Sequence, residues 1–184
     1  MIGTHEEYNR IRGILLTLEP SELADALMEL THDSRAVYMK VIALASTETR
    51  KITLFKEYIH AITHQTRRST LTGRNILLNL KRSLELLSPD NIDPKIGLQL
   101  MESFYETDSF AFESTTELDF EFEMVFTDEG FEIFAEIARR CTDTTFVVEL
   151  VKKLYAEDNY GVRGKLHEEA STYLSEAGLK LLNT

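Results

Sequence analysis

Apolar residues recur three and four apart along almost the whole chain, the spacing that gathers side chains onto one face of a 3.6-residue helix. About eight helices are expected. Tyr8, Ile11, Leu15 and Leu18 form a first stripe, and Thr4 with Glu7 has capping-box spacing ahead of it. Pro20 suits the first turn of a second helix, because a first-turn residue needs no amide hydrogen; Leu23, Ala24, Leu27, Met28 and Leu30 follow it. Asp33 or Ser34 can cap a third helix with Val37, Tyr38, Val41, Ile42 and Ala45, and Thr47 a fourth with Ile52, Phe55, Ile59 and Ile62.

Residues 65–73 are polar and read as a turn or loose join before Ile76, Leu77, Leu80, Leu84 and Leu87 restore the pattern. Residues 89–93 break the chain again, and Asp93 with Pro94 is a cap and first-turn pair opening a helix with Ile96, Leu100, Met101 and Phe104. Further on, Phe131, Phe134, Ala135 and Ala138 share one face. Phe146, Val147, Leu150, Val151 and Leu154 share another, with Asp143 as its cap. The tail reads as a last helix carrying Val162, Leu166, Ala170, Tyr173, Leu174, Ala177 and Leu181, with Asn159 and Gly161 as the turn before it.

Short joins of this kind bring successive helices together as hairpins, which predicts an all-α fold: a helical-hairpin bundle or a short α-solenoid. No tetratricopeptide, ankyrin or armadillo consensus is legible. A single domain over residues 1–184 is expected, and a subdomain boundary would fall near 88–93. The one ambiguous stretch is 118–126. Alternation there would put Leu118, Phe120, Phe122 and Met124 on one side of a strand and Asp119, Glu121 and Glu123 on the other; as a helix, Leu118, Phe122, Val125 and Phe126 share a face. Helix is the expectation, since a strand would have no partner of matching pattern.

Charge changes the picture more than composition does. The chain has 184 residues, 43% hydrophobic, enough for a packed core without disulfide or metal support. Its net charge of −11 lies almost wholly in the second half: residues 1–92 hold 12 basic and 11 acidic side chains, residues 93–184 hold 8 and 20. No basic residue occurs between Lys95 and Arg139, where carboxylates alternate with nine phenylalanine and tyrosine rings. Within that interval Glu117, Asp119, Glu121 and Glu123 are candidates to steer a basic protein partner, with Phe120 or Phe122 as an anchor if exposed. The competing readings are a solvated face over a phenylalanine core, and an acidic mimic of nucleic acid that inhibits a DNA- or RNA-binding protein.

Other chemistry is thinner. Glu57, His60 and His64 lie three and four apart and could project from one side of a helix as the centre of a metal-dependent enzyme. However, Ala61 stands where a zincin carries its general base, and His167 has no glutamate three residues before it to complete a diiron set. No metal or other cofactor is assigned. Cys141, the only cysteine, follows Arg139 and Arg140 but has no evident base, so no catalytic residue is assigned either. Arg67, Arg68, Arg74, Lys81 and Arg82 form the only basic concentration; the overall acidity disfavours direct nucleic-acid binding, and a balancing surface patch or an internal dock for the acidic half suits the cluster better. No Gly-rich phosphate loop or nucleophile elbow occurs. With one cysteine, no export signal at residues 1–8 and no apolar run long enough to span a bilayer, a soluble cytoplasmic protein is expected. Solenoid ends and exposed phenylalanines would allow a homodimer.

Two stretches carry a family resemblance. LLTLEPSELADALMELTHDSRAVYMKVIALA, residues 15–45, and LVKKLYAEDNYGVRGKLHEEASTYLSEAGLKLL, residues 150–182, resemble a family of uncharacterised bacterial helical domains, some of which accompany SWIM-type zinc fingers. Asp158, Tyr160 and Gly161 form the recognisable turn. The resemblance implies an all-helical, hairpin-stacked fold and transfers no catalytic residue; the zinc-finger cysteines of the SWIM-associated members are absent.

Overall fold

A computed structural model describes residues 5–64, 72–87, 92–115 and 117–184. The protein is all-α, and among the described residues there is no strand. It divides into two compact units, Met1–Ala45 and Ser46–Thr184. No helix among the described residues is long and apolar enough to cross a membrane.

The first unit holds α1 (His5–Leu15), α2 (Pro20–Asp33) and α3 (Arg35–Ala45). Pro20 opens α2 as expected, and the Glu22 carboxylate accepts the Glu19 amide at 3.2 Å. The Ser34 hydroxyl accepts the Val37 amide at 3.4 Å where α2 gives way to α3. α2 packs on α3. The proposed cap Thr4 lies outside the described residues.

The second unit holds α4 (Glu48–Thr63), α5 (Gly73–Leu86), α6 (Pro94–Tyr105), α7 (Asp108–Phe112), α8 (Asp119–Met124), α9 (Phe131–Arg140), α10 (Thr144–Ala156), α11 (Gly164–Glu168) and α12 (Glu176–Leu182). Thr47, Asp93 and Asp143 cap α4, α6 and α10, the residues their spacing picks out. Asp93 does most, accepting the amides of Lys95 and Ile96 at 3.0 and 3.1 Å. Residues 65–71 of the polar join at 65–73 and residues 89–91 of the break at 89–93 lie outside the described residues; Thr72 caps α5, which begins at Gly73. Residues 119–126 of the ambiguous stretch are helical, as expected, with Leu118 as the cap position of α8, and a wide π-helical segment, Val125–Gly130, links α8 directly to α9.

The tail departs from expectation. Instead of one helix it forms α11, a short 3₁₀ turn at Ala170–Thr172, and α12. The Tyr173 hydroxyl donates back to the Leu166 carbonyl and Ser175 caps a fresh helix, so the chain turns where an unbroken stripe would run straight. Gly178 then permits close packing: a Cβ there would lie 2.9 Å from the Thr144 methyl on α10.

Aromatic rings fill the centre of the second unit. Phe104, Tyr105, Phe122, Phe126 and Phe134 are fully buried, with the Phe104 and Phe126 rings 5.0 Å apart. The Tyr105 hydroxyl donates to the Phe126 carbonyl at 3.1 Å, satisfying an acceptor inside the widened π turn. Burial pushes the Tyr105 and Tyr173 hydroxyls well above the usual phenol range of about 10. The unfolded chain loses these protons at about pH 10 and the folded chain does not, so stability falls as pH rises above that point, by about 1.4 kcal/mol per pH unit for each ring. Alkaline titration should show phenolate absorbance from the exposed tyrosines first. The signal from Tyr105 and Tyr173 should appear only together with loss of helical circular dichroism.

Candidate acidic docking face

Ten of the twelve acidic residues of the interval 95–139 separate into two groups by what they touch; Glu132 and Glu136, on α9, are exposed and in no ion pair among the described residues. Lys153 reaches from α10 to Glu102 and Glu106 of α6 at 2.7 and 3.2 Å, and those hydrogen bonds hold its ammonium above its ordinary pKa. Lys165 holds Asp128 at 3.0 Å and Lys81 holds Glu129 at 2.9 Å, both in the π segment. The Tyr160 hydroxyl donates to Glu113 at 2.9 Å while its ring stacks on Phe112. Asp108 is buried against Arg163 at 2.7 Å. Its burial raises the carboxyl's pKa, and the guanidinium charge pulls the other way. These carboxylates brace helices to one another.

The second group is free of such work. Glu117, Asp119, Glu121 and Glu123 are all exposed, and among the described residues none forms an ion pair. Phe120 stands among them with 70% of its surface open, and Met124 is exposed on the same short helix. Phe122 does not join them. It is fully buried, with its ring 5.8 Å from Phe112, because the helical face shared with Val125 and Phe126 turns it into the core. Of the two anchors named from sequence, only Phe120 faces solvent.

Acidic pairs four apart, as at Asp119 and Glu123, repel by about 0.2–0.5 kcal/mol on an open helix, while Asp119 in the first turn is favoured by the helix dipole. A row of unpaired carboxylates around an exposed ring can attract a cationic surface at long range and bury an apolar contact on arrival. One member of the basic cluster meets the acidic interval, Lys81 with Glu129, whereas Arg82 lies over the Tyr58 ring of α4 at 5.9 Å. Arg67 and Arg68 lie outside the described residues.

The other candidates are placed plainly. The His60 and His64 rings stack face to face, 3.9 Å between centroids and 4° from parallel, so their in-plane nitrogen lone pairs run parallel instead of converging on one ion. Glu57 is turned toward Arg50, 3.9 Å away. Among the described residues no group of three or more His, Cys, Asp or Glu side chains is placed to hold a metal ion. Cys141 is half-buried at the end of α9, while Arg139 and Arg140 donate to the carbonyls of Thr172 and Ile92, at 2.9 and 2.8 Å.

The chain matches no protein-family model, no curated protein and no solved structure.

The two phenylalanines should separate in the test tube. Phe122→Ala should cost about 3–5 kcal/mol of unfolding free energy, the range for emptying a large core site. Phe120→Ala should stay within about 0.5 kcal/mol of the parent in the same urea titration.

Proposed function

We propose that the chain is a helical protein-interaction module whose carboxylate row, Glu117, Asp119, Glu121 and Glu123, with Phe120 in its midst, docks on a basic surface of a partner protein. One observation carries this reading. Six other carboxylates of the same interval are engaged by Lys81, Lys153, Tyr160, Arg163 and Lys165, whereas these four are exposed without an ion pair among the described residues and surround an exposed ring; Glu132 and Glu136, also unpaired, lie on α9, whose own rings Phe131 and Phe134 are buried. Charge held out of internal pairing remains available to steer an encounter, and an exposed aromatic ring supplies the contact energy that screened charges lack. Phe120 also favours a protein dock over mimicry of nucleic acid, since an apolar ring in the middle of the carboxylates has no counterpart in a phosphate backbone. A reducing compartment such as the cytoplasm suits the lone Cys141.

The test is affinity capture from the source cell's lysate at low and high salt with three baits: the native chain, Phe120→Ala, and a chain with Glu117→Gln, Asp119→Asn, Glu121→Gln and Glu123→Gln. Circular dichroism first establishes that all three are folded. One and the same protein should be retained by the native bait at low salt, lost at high salt, and lost from both variants. Equal retention by all three baits at both salts would remove this reading. Displacement of the captured protein by duplex DNA would favour the nucleic-acid mimic instead.

A further inference from the structure

The described side chains of the first unit, taken by themselves, form almost no core. Among its described side chains only Ala43 is buried, while Tyr8, Ile11, Ile14, Leu15, Leu16 and Leu18 along α1 and the turn after it are all exposed. Leu27, Met28 and Leu30 on α2 are exposed as well. Together with Tyr38 and Leu44 on α3 they leave on the order of 1,000 Å² of apolar surface open, more than the ~800 Å² each partner contributes to a standard stable interface. Three helices whose described side chains bury a single alanine need a cover for the apolar surface they leave open.

Two observations say what the cover is. The second unit exposes its large apolar side chains one or two to an element, at Leu78, Ile96, Phe110, Phe120, Met124, Tyr155, Tyr160 and Leu181, so the extended face of matching size is the same face of another copy. The charges beside the face are also self-complementary. On α1, Arg10 and Arg12 flank the stripe of Ile11, Ile14 and Leu15 on either side, and on α2 Glu22, Glu29 and Asp33 run along one flank of the stripe of Leu23, Leu27 and Leu30. Among the described residues none of these five charges is in an ion pair.

We infer that a second copy of the chain covers this face, with α1 of each copy laid along α2 of the other about a two-fold axis. Such an isologous contact closes on itself, buries both apolar stripes, and sets the two arginines of each copy beside the acidic flank of its partner. It is independent of the acidic docking face.

Light scattering of the full chain over a dilution series reads the result. The expected mass is about twice 21.1 kDa at high concentration, falling toward 21.1 kDa on dilution. Ile11→Glu with Leu27→Glu should give the single-copy mass throughout. Because that pair could simply melt the unit, a charge exchange that spares the apolar face decides the matter. Arg10→Glu with Arg12→Glu should weaken the dimer roughly tenfold, and adding Glu22→Lys with Glu29→Lys should restore it. A native chain of single-copy mass at every concentration overturns the inference. If α1 and α2 are then protected from hydrogen exchange, the rest of the same chain is the cover. A dimer indifferent to both sets of substitutions overturns it too, placing the contact elsewhere.

Discussion

The second unit depends on how it handles one buried pair of charges. Asp108 on α7 and Arg163 in the turn before α11 are each nearly closed to solvent, and taking two ions out of water costs several kcal/mol per ion unless geometry returns it. Arg163 meets that demand twice over, donating through Nε to Asp108 at 2.8 Å and through a terminal nitrogen to the Tyr105 carbonyl at 3.1 Å. Its backbone is fixed by Asp158, whose carboxylate accepts the amides of Val162 and Arg163 at 3.1 and 3.0 Å, around Gly161 with a φ of +74°. A buried charge of this kind tolerates few arrangements. It therefore joins the end of α6, the start of α7 and the turn from α10 to α11 in one arrangement, and the aromatic core closes around that junction.

Much of this architecture was legible as pattern, and what was not has a physical reason. Helix spacing and caps are local, and Pro20, Thr47, Asp93 and Asp143 act within three residues of themselves, so they could be found from spacing alone. The turn at Asn159 and Gly161 was legible from its residue types, but its reason for existing, the pairing of Arg163 with a carboxylate 55 residues away, is a matter of tertiary placement. The broken tail was missed for the same cause: its apolar spacing fits a single helix, and only the backward reach of Tyr173 and the approach of α12 to α10 break it. In the acidic interval, sequence supplied the carboxylates and the rings but could not say which were spoken for. Lys153 and Glu102 are 51 residues apart, and Lys165 and Asp128 are 37 apart; only folding sorts the braced acids from the unpaired ones.

That sorting changes what the acidity of the chain means. Much of it is structural, an internal counterweight to a few lysines and one buried arginine, and salt should loosen the exposed braces first. Four of the unpaired carboxylates fall on and just before one short helix that contributes only Phe122 to the buried core, while others, such as Glu132, Glu136 and Glu149, are exposed on α9 and α10. Exposed carboxylates and buried core positions thus alternate along the same short stretch, with Phe120 and Phe122 as near neighbours of opposite fate.

The π segment between α8 and α9 sets how the chain passes from one to the other. Its bonds close over one residue more than those of an α-helix, so the six residues Val125–Gly130 turn the chain about as far as five α-helical residues would. The extra residue is absorbed within the widened turn, and Phe122 keeps its place against Phe112 while α9 keeps its seat. What the wider turn adds is a core contact, the Phe126 carbonyl that accepts the Tyr105 hydroxyl. The segment is therefore slack in the chain: it takes up one residue of length locally without passing the change on to the helices at either end.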